Sequence, residues 1–362
     1  MQSLSNLESL CSAHRRPALA EAGSKQIRGI SASHIRRRLH AFCCEAGHCA
    51  PRTTYVLTTT GQAYTLRALV SDRARRKRLW DSCTFGPPLF IRLGISRATL
   101  SIKNNARLFY TGPLEEMRSA KIALPSAFRS GSLAREIWTR KYLARRVNPL
   151  LVPSLVRYGH QLDWIEEEFL PSEEQISDAA KVGIFLHQYG FAFYAQTKRS
   201  RPLGRTLQRY NLQWPEIENV LAEVGVRLDA AAGHDASWPV ALVHGDLSPG
   251  NMRTSHGVLF VIDWEQSHVG SVASDLTKLF LMQPGPVLAL LRLLSHPDDM
   301  MPTAQMQIAL AIKIIGRRRN REALISYFMR NGRSRSKAIR RVLEKERELL
   351  DSMAAARSNA RY

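Results

Sequence analysis

Two short apolar runs lie close together near the middle of this 362-residue chain, and each leads directly into polar side chains. The first run, "PVALV", is followed by "HGDLSPGN", and the second, "GVLFVI", is followed by "DWE". Runs of this length and apolarity predict buried strands, whereas Asp, Ser, Pro, Gly and Asn favour turns. The two runs are therefore expected to bracket a hairpin whose loops carry His244, Asp246, Asn251 and Asp263.

Each of these polar residues also has a simpler interpretation. Asp246 alone could be a turn residue, and Asn251 alone could be a turn or helix cap. Asp263 is harder to explain in this way, because an acid that follows the buried run "LFVI" needs a partner. For His244 the favoured interpretation is a hydrogen-bonded core histidine.

The rest of the pattern predicts an α+β fold. The runs "ATLSIKN", "ARLFYTG" and "RSAKIALP" predict a three-strand antiparallel meander with a turn at Asn104 and Asn105. A helix capped by Ser130 or Ser132 follows, and "LVRYGH" and "DWIEEEFL" predict a strand, a tight turn and a strand. Beyond residue 171 helices predominate, over "QISDAAKVGIFLHQYGFAFYA", "WPEIENVLAEVGVRLDAAA", residues 272–294 and residues 303–352.

Four segments are expected along the chain. Residues 1–87 form a basic N-terminal extension without an assigned role, with an amphipathic helix near Ser33 to Ala46, the β-like run "TTYVLTTTGQAYTLRALV" and a basic helix ending near Trp80. Residues 88–170 form a small β-rich lobe, and residues 171–315 form a mainly helical lobe that carries the polar loops. Residues 316–362 form a basic helical segment.

The polar motif carries a resemblance to a known family. "HGDLSPGN" followed by "VIDWE" resembles the aminoglycoside phosphotransferase and choline kinase family, a branch of the protein-kinase-like fold. The order of elements over about residues 88–300 is similar as well. The resemblance implies a two-lobed kinase-like fold and an ATP-dependent, Mg²⁺-assisted transfer of phosphate to a hydroxyl group.

The resemblance also implies a role for each residue of the motif. Asn251 and Asp263 would bind the metal, and oxygen ligands of this kind suit Mg²⁺. Asp246 would orient or deprotonate the acceptor hydroxyl. His244 would support the loop through a hydrogen bond to backbone near Asp263, and Asp275 in "SVASDLTKLF" would brace the same loop.

The β-rich lobe would supply the nucleotide contacts. Lys121 in "SAKIAL" would bind the α- and β-phosphates, and Glu136 in "LAREIW", fifteen residues later, would pair with it. The simpler alternative for Lys121 is a solvent-facing lysine on a strand. The adenine edge would be read by the backbone of Glu166, Glu167 and Glu168, whose side chains are expected to be exposed.

Several features depart from eukaryotic protein kinases. No Gly-x-Gly-x-x-Gly loop precedes Lys121, and the corresponding turn is "IKNNAR". The metal motif is Asp-Trp-Glu, no lysine follows Asp246 by two positions, and Asp275 follows Asp263 by only twelve positions. The last three features indicate a small-molecule kinase rather than a protein kinase. The missing glycine loop argues against contacts from glycine backbone to the nucleotide phosphates.

Charge is distributed unevenly along the chain, whose net charge is +21. Residues 1–120 carry +12, residues 121–315 are neutral and residues 316–362 carry +9. Basic ends favour anionic partners, although solvated helix faces would explain them equally well. An aminoglycoside is a polycation, so the expected acceptor is a small molecule or a glycan or lipid-type hydroxyl compound of anionic character.

Two other classes of function stay open at this stage. The first is a pseudokinase, although Lys121, Asp246, Asn251 and Asp263 are all intact. The second is a nucleic-acid or membrane-associated binding protein that uses its basic ends. Few aromatic residues for base stacking lie among those charges, so nucleic acid is not the favoured partner.

The expected compartment follows from the apolar runs and from the N-terminus. No run approaches the apolar length of a membrane helix and the N-terminus lacks signal-peptide order, so a cytoplasmic protein is expected, with peripheral contact to an acidic membrane open to the basic ends. All five cysteines lie in the first 83 residues. "HAFCCEAGHC" clusters His40, Cys43, Cys44, His48 and Cys49, but zinc is disfavoured because adjacent cysteines point apart and Cys-x2-Cys spacing is missing.

Overall fold

The computed structural model of the chain describes residues 32–47, 53–57, 63–65, 89–93, 98–102, 105–111, 116–124, 132–146, 152–170, 176–228, 236–330 and 333–358. These residues fall into two compact units. The N-terminal unit lies within Ser24–Arg140 and Pro153–Pro171, and the C-terminal unit lies within Lys141–Val152 and Ser172–Tyr362. The predictions for Asn104, Ser130, the helix ending near Trp80, His48 and Cys49 lie outside the described residues.

The N-terminal unit is built on antiparallel sheets. In chain order its described elements are α1 (Ala32–Glu45), β1 (Thr53–Leu57), β2 (Ala63–Thr65), β3 (Leu89–Leu93), β4 (Ala98–Ile102), β5 (Asn105–Thr111), β6 (Met117–Ala123), the start of α2 (Ser132–Arg146), β7 (Leu155–Tyr158) and β8 (Trp164–Glu168). Strands β2, β1 and β3 form one sheet in that order. The second sheet has five strands in the order β4, β5, β6, β8, β7.

The five-stranded sheet contains the predicted meander. Strands β4, β5 and β6 pair in sequence as expected, and β8 then pairs with β6, which adds two strands to the sheet. On β5 the side chains of Ala106, Leu108 and Tyr110 alternate inward with period two, whereas β6 is an inner strand with consecutive buried residues. Helix α2 packs Leu133 and Ile137 against Ile165 of β8.

The C-terminal unit is mainly helical. Its described helices are α3 (Asp178–Ile184), α4 (Gly190–Ala195), α5 (Leu203–Arg209), α6 (Trp214–Glu223), α7 (Val272–Phe280), α8 (Pro284–Leu294), α9 (Pro302–Arg319), α10 (Arg321–Arg330) and α11 (Arg335–Ser358). Its strands are β9 (Arg199–Pro202), β10 (Ser237–Val243), β11 (Met252–Ser255), β12 (Val258–Val261) and β13 (His268–Ser271). None of the helices in the described ranges is long and apolar enough to cross a membrane.

The predicted hairpin between "PVALV" and "GVLFVI" is wrong. Strand β10, which contains the first run, pairs with β9 and β13, while β12, which contains the second run, pairs with β11. The reason is a local turn: His256 and Gly257 both adopt positive φ, at 51° and 72°, which favours a tight two-residue hairpin between β11 and β12. The two apolar runs therefore lie in different sheets.

The predicted helices are present, but one contains a π-helical turn and the two longest are divided into shorter helices. Residues 178–195 are helical throughout, with a π-helical turn at Phe185–Tyr189 and an N-cap in which the Ser177 hydroxyl accepts the Ala180 N–H at 3.2 Å. The predicted helix over residues 272–294 divides into α7 and α8, with a proline at the start of α8. The predicted helix over residues 303–352 divides into α9, α10 and α11.

The basic C-terminal segment packs into the core of the C-terminal unit. Leu349, Met353 and Ala356 of α11 belong to the main apolar cluster of that unit. Glu346, only 7 % exposed, accepts hydrogen bonds from Arg318 at 2.6 Å and from Arg321 at 2.9 Å. Part of the basic charge of this segment therefore forms internal ion pairs. The segment boundary expected at residue 316 stays a prediction.

One lysine lies among the apolar residues of α9. The Lys313 Nζ donates a hydrogen bond to the Thr277 hydroxyl of α7 at 2.7 Å. Burial, together with the nearby cations Lys278 and Arg317, lowers the pKa of Lys313 to about 7. Two carboxylates that act in the opposite direction, Asp246 and Asp275, do not offset this effect.

The stability cost of this lysine depends on pH. Its pKa is lower in the folded than in the unfolded chain, so the cost is complete below pH 7 and disappears as the pH rises from about 7 to about 10.5. Lys313→Met is therefore expected to raise the free energy of unfolding at pH 6, on the order of 2 kcal/mol, and by much less at pH 10. Denaturant titrations at the two pH values measure this difference, with the exposed Lys337→Met as control. An equal gain at both pH values would contradict the assignment.

Candidate active site

A buried carboxylate organises the loop that carries His244 and Asp246. Asp275, in the first turn of α7, is 6 % exposed and accepts hydrogen bonds from the backbone N–H of His244 at 2.9 Å and of Gly245 at 2.8 Å. The Tyr194 hydroxyl donates to the same carboxylate at 3.0 Å. Burial and the neighbouring carboxylate raise the pKa of Tyr194, so its phenol remains a donor. Three donors compensate the burial of this acid.

Gly245 can only be glycine in this loop. Its φ is +82°, and an added Cβ would lie 2.3 Å from the carbonyl oxygen of Gln266. Both the left-handed backbone and the close approach exclude a larger side chain. The sequence His-Gly-Asp is therefore required for the loop to pass close to the segment after Asp263.

His244 connects the two polar loops through both ring nitrogens. The Asp246 N–H donates to Nδ1 at 3.2 Å, so Nδ1 is unprotonated and Nε2 carries the proton that it donates to the Ile262 carbonyl at 2.8 Å. The ring is fully buried and packs against Trp264, with ring centroids 4.7 Å apart. With both nitrogens occupied, His244 has the geometry of a supporting residue.

Ile262, the residue before Asp263, is held on both sides. Its carbonyl accepts from His244, and its N–H donates to the Asn251 carbonyl at 2.9 Å. Asp263 itself adopts φ 69° and ψ 54°, a left-handed conformation that is uncommon for a residue with a side chain and recurs at functional sites. The backbone on either side of Asp263 is thus fixed by the loop that carries Asp246 and by the Trp264–Gln266 turn.

Asp246 and Asn251 contact each other within the C-terminal unit. The Asn251 Nδ2 donates to the Asp246 carbonyl at 2.9 Å and lies 3.5 Å from the Asp246 Oδ2. The amide oxygen of Asn251 is then the atom that remains for another group. An amide oxygen and the Asp263 carboxylate are the hard donors that Mg²⁺ prefers, so these residues fit the metal that the sequence predicts.

A lysine that the sequence analysis did not identify completes this group. Lys278 of α7 forms an ion pair with the Oδ1 of Asp246, and both side chains are a little under two-fifths exposed. Lys278 follows Asp275 by three residues, so both point from one face of α7 towards the loop. Protein kinases carry a lysine two residues after the corresponding aspartate, whereas in this chain the cation beside Asp246 comes from helix α7.

The N-terminal unit holds the predicted lysine and glutamate as a buried pair. Lys121 of β6 and Glu136 of α2 are 4 % and 2 % exposed, and the Lys121 Nζ lies 2.8 Å from the Glu136 Oε2. Arg140, one turn further along α2, lies 3.6 Å from Glu136 and 2.5 Å from Glu167. The alternative of a solvent-facing Lys121 is wrong, because its side chain is buried in the sheet.

The segment of Glu166 to Glu168 differs from expectation. It belongs to β8, which has β6 on one side and β7 on the other, so its backbone groups bond to neighbouring strands. That these groups read an adenine edge stays a prediction. Glu166 is buried and pairs with Arg157, Glu167 pairs with Arg140, and only Glu168 has the exposed side chain expected for all three.

The two adjacent cysteines of α1 differ in exposure. Cys43 is buried and Cys44 is exposed, so the two adjacent side chains point in different directions. The Cys44 Sγ lies 3.6 Å from the His40 Nδ1, one helical turn away. No described residue gives Cys43 and Cys44 a shared ligand geometry.

Three residues, in the group around Asp246 and the group around Lys121, carried no recognisable signal in the sequence. Tyr194 lies on an apolar helix, Arg140 has the i,i+4 spacing of an ordinary surface ion pair, and Lys278 is a single charge near the end of a helix. Gly245 could have been identified from His-Gly-Asp, because a glycine between two functional residues indicates a special backbone conformation.

Comparison with known proteins assigns the family. A model described as the phosphotransferase enzyme family matches residues 120–305, just over half of the chain. This range contains every residue of the two groups described above. No curated protein matches the chain significantly.

Solved structures are similar to the chain at low identity. Choline kinase LicA from Streptococcus pneumoniae is 14 % identical with a TM-score of 0.45, over 69 % of this chain and 91 % of that one. Macrolide 2'-phosphotransferase MphH from Brachybacterium faecium is 13 % identical with a TM-score of 0.43, over 68 % and 91 %. The GDP complex of aminoglycoside 2'-phosphotransferase-IIIa is 13 % identical with a TM-score of 0.45, over 72 % and 93 %.

The predicted fold class is confirmed. An antiparallel sheet precedes a mainly helical portion, as in the α+β, protein-kinase-like fold of this family. The match covers the strand with Lys121 as well as the loops with Asp246, Asn251 and Asp263. The chain belongs to the phosphotransferase enzyme family.

Proposed function

We propose that this chain is an ATP-dependent kinase that transfers a phosphoryl group to a hydroxyl of a small-molecule, glycan or lipid-type acceptor. The observation that carries the proposal is the loop pair of the C-terminal unit. The Ile262 backbone, directly before Asp263, forms hydrogen bonds with the His244 ring and with the Asn251 carbonyl. These bonds hold the loop of Asp246 and Asn251 beside Asp263. Such fixed positioning is what phosphoryl transfer requires of a protein, because the protein contributes little covalent chemistry.

The N-terminal unit provides a cation suited to nucleotide phosphates. Lys121 is held by Glu136, and Glu136 is in turn close to Arg140. A lysine fixed by a buried carboxylate has little freedom to move, so it is ready to contact the α- and β-phosphates. Breaking such a pair leaves an uncompensated buried charge, so Glu136 supports both folding and binding.

The C-terminal unit provides the metal ligands and the acid. Asn251 and Asp263 would hold Mg²⁺, which when bound neutralises charge on the phosphates. Asp246 accepts the proton of the acceptor hydroxyl as the oxygen forms its bond to the γ-phosphorus and the bond between that phosphorus and ADP breaks. His244 and Asp275 act by holding the backbone of this loop in place.

Substitution of Asp263 tests its assignment to the metal. Asp263→Asn removes a charged oxygen ligand and is expected to lower Mg²⁺-dependent ATP hydrolysis about 100-fold or more. Release of ADP at saturating ATP measures this loss. The matched control is Asp298→Asn, whose side chain is 88 % exposed and lies outside both groups. Retention of full activity in Asp263→Asn would contradict the metal assignment.

Substitution of Asp246 separates nucleotide binding from phosphoryl transfer. Asp246→Asn keeps the shape of the side chain and removes the base, so nucleotide affinity is expected to stay within about threefold while turnover falls about 10²- to 10⁴-fold. Calorimetry with ADP and Mg²⁺ gives the affinity, and ADP release gives the turnover. Loss of nucleotide binding in a folded Asp246→Asn protein would show instead that Asp246 maintains the loop.

A further inference from the structure

The two oxygens of the Asp246 carboxylate face different groups. Oδ2 lies 3.5 Å from the Nδ2 of Asn251, the residue assigned to the metal. Oδ1 accepts from the Nζ of Lys278 on α7. An acceptor hydroxyl that gives its proton to Oδ1 would therefore lie close to Lys278 and away from the metal ligand Asn251.

More positive charge lies behind Lys278. Lys313 of α9 is close enough to Lys278 and Arg317 for their charges to disfavour its own, and it donates to the hydroxyl of Thr277, the neighbour of Lys278 on α7. Lys313 and Arg317 are one helical turn apart on α9. We call Lys278, Lys313 and Arg317 the cationic cluster.

The cationic cluster has little value for stability. The pair of Lys278 and Asp246 is partly exposed, and exposed ion pairs contribute little to stability. Burial of Lys313 next to two other cations opposes folding. Lys278 and Lys313 contribute little to the stability of the fold, and both lie close enough to Asp246 to interact with its charge, as is typical of a binding site.

We propose that Lys278, supported by Lys313 and Arg317, binds an anionic phosphate or carboxylate group of the acceptor, close to the hydroxyl that Asp246 deprotonates. This inference rests on the kinase function proposed above and narrows its substrate class to hydroxyl compounds that carry an anionic group. The acceptor anion takes over the contact of Lys278 and thereby releases the Oδ1 of Asp246 for the hydroxyl proton. A polycationic acceptor would be repelled by the same cluster.

Matched probes test the inference on the full-length protein loaded with ADP and Mg²⁺. Calorimetry compares glycerol with glycerol 3-phosphate and glucose with glucose 6-phosphate and glucuronate. The expected result is binding of at least one anionic probe, at least tenfold tighter than binding of its neutral partner. The phosphate and carboxylate probes distinguish the two anionic groups. Equal binding of the members of each set, or binding of none, would overturn the inference.

Variants assign the selectivity to the cluster. Lys278→Met is expected to weaken binding of the anionic probe at least tenfold, Lys278→Arg to retain most of it, and Lys313→Met to weaken it to a smaller extent. Lys337→Met, on the exposed face of α11, is the matched control and should bind like the wild type. Unchanged binding in Lys278→Met would overturn the assignment.

Two further readouts separate the inference from the proposed function. Failure of the wild type to bind ADP with Mg²⁺ would refute the kinase function itself, whereas nucleotide binding without selection for anionic probes would refute only the inference. Lys278→Met is expected to bind ADP with Mg²⁺ within about threefold of the wild type, because the lysine is assigned to the acceptor. A large loss of nucleotide affinity in this variant would mean that Lys278 serves the nucleotide, which would also overturn the assignment to the acceptor.

Discussion

The hydrogen bonds that converge on Asp275 and His244 are the constraint on which the candidate active site depends. Asp275 binds two consecutive backbone N–H groups and the Tyr194 hydroxyl, and His244 then joins the Asp246 N–H to the Ile262 carbonyl. Hydrogen bonds to charged groups contribute about 1.5 to 3 kcal/mol each, and a buried donor left without its acceptor costs a similar amount. The loops therefore have one satisfied arrangement, in which Asp246, Asn251 and Asp263 are held by backbone contacts.

The surrounding core explains why this arrangement is rigid. Trp264 is fully buried, donates to the Val261 carbonyl at 2.8 Å and packs against both His244 and Phe193. The tryptophan in Asp-Trp-Glu thus packs against the histidine ring, while the aspartate before it adopts a left-handed backbone conformation. Family membership is consistent with a site of this kind, and the role proposed for the cationic cluster concerns the acceptor.

Much of the architecture follows from the sequence because periodicity reports burial. The meander of β4 to β6, helix α2 and the strand–turn–strand of β7 and β8 were predictable from alternating and helical patterns. The pairing of β10 was not, since burial does not specify a partner, and the neighbours β9 and β13 are four-residue strands without an apolar run. The pairing of the Glu166 and Glu167 side chains with arginines was unexpected for the same reason, because the strands on either side of β8 could not be known.

The site residues divide along similar lines. Lys121 and Glu136 could be selected by spacing and family pattern, and the structure brings their charged atoms within 2.8 Å. Lys278 and Arg140 could not, because a single cation on a helix has the same pattern whether it faces solvent or a carboxylate. The most direct measurement of the central claim is calorimetric titration of the wild type with ATP in the presence and absence of Mg²⁺. The account predicts saturable binding that Mg²⁺ strengthens at least tenfold, and ATP binding that is absent or unaffected by Mg²⁺ would contradict it.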